Sequence, residues 1–264
     1  MAGPTTAERQ QQKSGPPRPQ RVRRVRLPRS RTLVALLALA VLLTAGGLWM
    51  LYGSQWLRLE RVRTSGTQVL TPREVVEAAR APVGEPLISV DTDALESRLR
   101  SKLPRIDSVE AVRSWPHGIS LKVTERKPVL LIEKGKKFVE VDAEGVRFAT
   151  VEHAPTGIPL LELTPDRESG AAASLRRFGT DRLLREAVRV AGDLPGAVAR
   201  DTRSVKVRSY DSISLELSRG RTVVWGSGEK GRTKATTLTA LMKAAPEARH
   251  FDVSVPTAPA SSGS

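Results

Sequence analysis

Residues 33–52 read LVALLALAVLLTAGGLWMLY, an apolar run with no alternation and no charge anywhere between Arg31 and Arg58. At about 1.5 Å of helical rise per residue, such a run spans about 30 Å, the thickness of a bilayer's hydrocarbon core. It predicts a transmembrane helix over residues 32–54. Trp49, Tyr52 and Trp56 gather at its C-terminal end, where amphipathic rings suit the headgroup level. A cleaved signal peptide has an apolar core of about 7–15 residues and a shorter basic lead. The longer run and the long lead here predict a retained anchor.

Beyond the anchor the pattern changes to short alternating runs and short periodic ones. Leu57, Leu59 and Val62 alternate up to a Ser65-Gly66 closure, which reads as a strand. In TPRE, Thr71 is an N-cap, Pro72 suits the first helical turn and Glu74 completes a capping box; Val75, Val76 and Ala79 make the apolar stripe. A second helix lies in DTDALESRLRSKLP, capped by Asp91 or Asp93, with Leu95, Leu99 and Leu103 inward and Pro104 as its stop. SVEAVRS and GISLKVT then read as two strands joined by a Trp115-Pro116-His117-Gly118 turn, with Trp115 capping the core edge and His117 at an exposed tip. Residues 55–125 therefore predict a small α+β unit in the order strand, helix, helix, strand, strand.

Residues 126–257 predict a β-rich second unit. Val129 to Ile132, Lys137 to Val141, Val146 to Phe148 and IPLLEL are β runs, and TPDRESGAAAS is a loop. TDRLLREAVRVAGDLP is an amphipathic helix capped by Thr180. SVKVRS, SISLELS and TVVWGS are strands, a helix covers about 231–245, and HFDVSV is a final strand ended by Pro256. Residues 258–264 read as a disordered tail.

Charge adds orientation. The formal net charge is +15, and residues 1–31 hold nine Lys/Arg against one Glu8. This Pro-, Gln- and Arg-rich lead is read as a disordered cytoplasmic tail. Residues 57–264 are then expected outside, a type II single-pass arrangement. Arg21, Arg23, Arg24, Arg26, Arg29 and Arg31 set the topology and can hold anionic lipid headgroups at about 1 kcal/mol each. Nothing in the tail points to specific nucleic-acid recognition.

No catalytic set emerges. With no Cys there is neither a disulfide framework nor a thiolate metal site. His117, His153 and His250 lack metal-ligand spacing. GSGEKGRTK only approaches a phosphate loop, because Arg232 stands where the lysine belongs. No cofactor or small-molecule substrate is expected.

The strand–helix–helix–strand–strand order just outside a single anchor resembles a POTRA domain. The Val62 to Gly66 closure, Leu103-Pro104, Val109, Ala111, Val112, Trp115-Pro116, Glu125-Arg126 and Pro128 together resemble the FtsQ/DivIB family of bacterial cell-division proteins. The passage through Gly226, Ser227 and Lys234 resembles that family's second domain. The resemblance implies a non-enzymatic scaffold at the division septum in the cytoplasmic membrane, binding FtsB- and FtsL-like bitopic partners. It places the binding edge on the last strand, at Phe251, Asp252, Val253, Ser254 and Val255, with Lys234 as a neighbouring contact. It also makes the POTRA-like unit a second interaction surface. A translocation component or a membrane-anchored cell-wall enzyme are the other classes the pattern admits.

Overall fold

The computed structural model describes residues 30–164 and 179–263. The basic lead, including Arg21, Arg23, Arg24, Arg26 and Arg29, and most of the TPDRESGAAAS segment lie outside the described residues.

Helix α1 (Ser30–Gly53) is the apolar run. From Arg31 to Gly53 it is 23 residues long, and by length and composition it can cross a bilayer. Its side chains are exposed nearly throughout, as a helix hydrophobic all round must be when its solvent is lipid.

The segment that follows builds a three-stranded sheet in the order β1-β3-β2, from β1 (Arg61–Ser65), β2 (Ile106–Ser114) and β3 (Gly118–Glu125). β1 runs parallel to β3, and β2 runs antiparallel to it. A parallel pair needs a crossover, which α2 (Pro72–Ala79) and α3 (Thr92–Lys102) supply. The capping box of α2 forms as read: Thr71 Oγ1 accepts from the Glu74 N–H, and Glu74 Oε2 accepts from the Thr71 N–H at 2.7 Å. Asp91 caps α3 by accepting from the Ala94 N–H at 3.0 Å. Leu95 and Leu99 on α3, Val75 and Ala79 on α2, and Ile119, Leu121 and Val123 on β3 share one buried core. Each large side chain among them contributes about 2 kcal/mol.

The second sheet has nine strands in the order β12-β11-β10-β9-β8-β7-β4-β5-β6. In chain order they are β4 (Leu130–Lys134), β5 (Lys137–Val141), β6 (Arg147–Val151), β7 (Leu160–Leu163), β8 (Thr202–Ser209), β9 (Ser212–Leu217), β10 (Thr222–Gly226), β11 (His250–Asp252) and β12 (Ala260–Ser262). α4 (Thr180–Asp193) packs against β8 and against α6 (Gly231–Ala244), which crosses over between the parallel strands β10 and β11. The core holds Leu183, Leu184, Ala187, Val188 and Val190 of α4, Leu238 of α6, and Trp225 and Phe251 from the sheet.

Four local readings change. The N-cap of α4 is Gly179, and Thr180 is its first helical residue, without a side-chain cap. A short third helix, α5 (Gly196–Asp201), follows Pro195. Trp115 does not cap the core, because its ring stands 48% exposed at the turn, while His117 is half-buried. The tail read as disordered over 258–264 contains β12, which pairs antiparallel with β11.

Candidate functional site

The five residues expected to form the binding edge are contiguous, yet the structure gives them other work. Only Phe251 and Asp252 belong to β11; Val253, Ser254 and Val255 lie past its end. Phe251 and Val253 are fully buried core side chains. Asp252 Oδ1 accepts from the N–H and the hydroxyl of Ser254 at 2.9 and 2.7 Å, closing the turn that follows. Val255 is exposed. Its carbonyl accepts from the Ala258 N–H at 3.0 Å, and the chain turns back here between Pro256 and Pro259.

That reversal covers the expected edge. β12 pairs with β11 in the register His250↔Ser262, Phe251↔Ser261 and Asp252↔Ala260. The Arg249 N–H donates to the carbonyls of Ser262 and Gly263. At this end of the sheet the outermost strand among the described residues is therefore β12, and Ala260, Ser261 and Ser262 are all exposed. PTAPASSG hides this strand from a sequence reading, because small and polar residues have weak β-propensity. The two prolines bracketing a turn were the available signal.

Lys234 is not a surface contact. It is 2% exposed, and its Nζ donates to the carbonyls of Trp225 and Ser227, both at 2.8 Å. Burial pushes its pKa down, against the pull of Glu229 and Asp252. The ammonium thus ties the end of β10 to α6, which explains a lysine eight residues after Gly226. Of the topology arginines, the described residues include only Arg31, exposed in the first turns of α1.

Glu125 ends β3 and Arg126 follows it, four residues before β4, and each has partners that the sequence did not announce. The Glu125 carboxylate accepts from three successive backbone donors, the N–H groups of Gln68, Val69 and Leu70, at 2.7–3.1 Å. Arg126 reaches the other way to Asp142, with Asp107 at 3.3 Å. Beside it Arg105 pairs with Glu140 and stacks over the Phe148 ring at 5.1 Å. Glu140 and Asp142 are buried; among the described residues Glu140 is met by Arg105, and Asp142 by Arg126 and the N–H groups of Glu144 and Val146. Neither acidic partner carried a sequence signal, since both lie in an ordinary alternating strand and its turn.

Among the described residues no group of three His, Asp or Glu side chains gathers as a metal site. What the arrangement offers is surface: a β edge at one end of the large sheet and, on the small one, the exposed Arg61 and Arg63 of β1.

The comparisons agree with this architecture. A family model described as "POTRA domain, FtsQ-type" matches residues 57–126, and one described as "Cell division protein FtsQ/DivIB, C-terminal" matches residues 130–255. The chain is 70% identical to the cell division protein FtsQ of Streptomyces coelicolor, over all of both chains. It is 62% identical to that of Streptomyces venezuelae, over all of this chain and 99% of the relative. A solved extracytoplasmic domain of the division protein DivIB from Geobacillus stearothermophilus is a slighter likeness, at 16% identity and a TM-score of 0.32 over 51% of this chain and 97% of that one. A single N-terminal apolar helix, an FtsQ-type POTRA unit and the matching β-rich unit, in one chain aligned end to end with these relatives, make it a member of the FtsQ/DivIB family of bacterial cell-division proteins.

Proposed function

We propose that this chain is a bitopic scaffold of the division apparatus. Its N-terminus is cytoplasmic and residues 57–264 are extracytoplasmic. It holds FtsB- and FtsL-type partners at the septum by adding a partner strand to the β12 end of the large sheet. One observation carries the placement: the sheet ends in a short, exposed strand with no described strand beyond it. Unpaired N–H and C=O groups on such an edge are a template for strand addition. Phe251 and Val253 support this edge from within, and Asp252 fixes the turn that delivers β12. The reading is of a binding protein with no turnover of its own.

The test is co-purification of the full chain with an FtsB-type partner. Ser261→Pro and a truncation after Pro259 remove ladder groups from β12 while leaving Phe251 and Val253 in the core. Both are expected to lose most of the captured partner; undiminished capture by both refutes the edge. A C-terminal topology reporter is expected to be active only outside the cytoplasm, and cytoplasmic activity refutes the orientation.

A further inference from the structure

Strand β1 places Arg61 and Arg63 on the same, outward face of the small sheet, because alternate residues of a strand share a face. Across the parallel ladder, Arg61 lies opposite Gly118 and Arg63 opposite Ser120. Gly118 brings no side chain to this face, where a hollow opens beside the turn between β2 and β3. The hollow has a volume of about 300 Å³ and is walled by Arg61, Arg63, Ser114, Trp115, His117 and Ser120.

Among the described residues, no carboxylate pairs with either guanidinium. Glu110 is held by Lys122 at 3.3 Å, and Glu60 lies 3.9 Å from His117 Nδ1. That Nδ1 is buried without a hydrogen-bond partner. Two guanidiniums on one face, with Ser114 and Ser120 also lining the hollow, match a phosphate, which Arg engages through two parallel N–H donors. The exposed Trp115 ring beside them adds the amphipathic surface that favours a headgroup layer. Reach agrees: seven residues, Ser54 to Glu60, lie between the end of α1 and Arg61, a contour of at most about 28 Å. Trp56 within that stretch is also exposed.

We propose that this hollow binds the phosphate of anionic lipid headgroups, and so holds the POTRA-type unit against the membrane that carries the anchor. Which leaflet it meets rests on the orientation proposed above; the binding chemistry does not.

The test uses the full chain in nanodiscs of phosphatidylcholine, alone or mixed with phosphatidylglycerol, read by hydrogen–deuterium exchange of peptides covering residues 60–66 and 113–120. The expected result is exchange slowed several-fold by phosphatidylglycerol in the wild type. The protection is lost in Arg61→Gln/Arg63→Gln and reduced in Ser120→Glu, which sets a carboxylate opposite Arg63. These positions are exposed or half-exposed, and unchanged circular dichroism checks that the variants fold. Equal exchange in both disc types overturns the site, as does protection that survives the double substitution. Protection by inorganic phosphate in phosphatidylcholine discs, with none from phosphatidylglycerol, overturns the lipid assignment in favour of a soluble anion. A nanodisc presents lipid to this face whatever the orientation in cells. Partner capture depends on β12, so failure of the scaffold reading and failure of this one are separable.

Discussion

Replacing Glu125 removes one side chain that organises a whole loop. Its carboxylate accepts the N–H groups of Gln68, Val69 and Leu70, the three residues before the capping box of α2, and it is itself 9% exposed. Each hydrogen bond to a charged group contributes about 1.5–3 kcal/mol net. The donors lie near the surface, however, and water rehydrates part of what is lost. Glu125→Ala is therefore expected to destabilise the POTRA-type unit by about 2–4 kcal/mol. Glu125→Gln keeps one acceptor oxygen but turns an NH₂ toward backbone donors, for about 1.5–3 kcal/mol. A unit of about 70 residues has on the order of 4–10 kcal/mol in all, so either change consumes a large part of it. Urea unfolding of the full chain in detergent gives the magnitude. Hydrogen exchange at residues 68–70 gives the location, with protection falling there first and β2–β3 amides following only through global unfolding. A Glu125→Gln chain within about 0.5 kcal/mol of wild type, with unchanged exchange at those three amides, refutes the account.

Gly66→Ala is expected to prevent folding of the small sheet or destabilise it by more than about 4 kcal/mol; φ is +86° there, and an added Cβ would lie 2.1 Å from the Val123 carbonyl oxygen. Soluble yield and thermal unfolding check it. Arg126→Met strips the partner from buried Asp142, which keeps its N–H donors from Glu144 and Val146. A cost of about 2–4 kcal/mol is expected, partly recovered by adding Asp142→Asn in a double-mutant cycle. Lys234 supplies a pH test. Its folded pKa lies below the unfolded value of about 10.5, so the buried ammonium's penalty is full below the folded pKa. The folded state releases its proton first as pH rises, and the neutral amine still has two hydrogens for the Trp225 and Ser227 carbonyls. Stability relative to Lys234→Met is therefore expected to increase through the alkaline range toward pH 10.5. A flat difference counts against the buried ammonium.

The elements that punctuation defines were legible in the sequence. Thr71, Pro72 and Glu74 announce a helix start by local chemistry alone, and Leu95 and Leu99 announce its buried face by period. Gly66 and Gly118 marked strand ends for the same reason, since a turn's geometry is a local demand. What the sequence concealed depends on contacts distant in the chain. Lys234 reads as a surface charge until the carbonyls of Trp225 and Ser227 surround its ammonium. Phe251, Asp252 and Val253 read as an edge until the returning chain lies beside them. β12 itself is held by pairing with β11 and not by any preference of Ala260, Ser261 or Ser262, so propensity could not reveal it. Glu140 and Asp142, the partners of Arg105 and Arg126, lie 35 and 16 residues away, on a strand and the turn after it whose acidic residues look solvent-facing.

The buried arginine pairs have a mechanical consequence. They grip β5 and the turn after it, near the β6 end of the large sheet, whereas the proposed binding edge is β12, at the opposite end. Seven strand spacings separate β5 from β12, about 34 Å at about 4.8 Å each. On the strand-addition proposal, a partner on β12 docks at that distance from the clamp. Because buried ion pairs break only at a cost of several kcal/mol, the clamp resists separation of β5 and its turn from the POTRA-type unit.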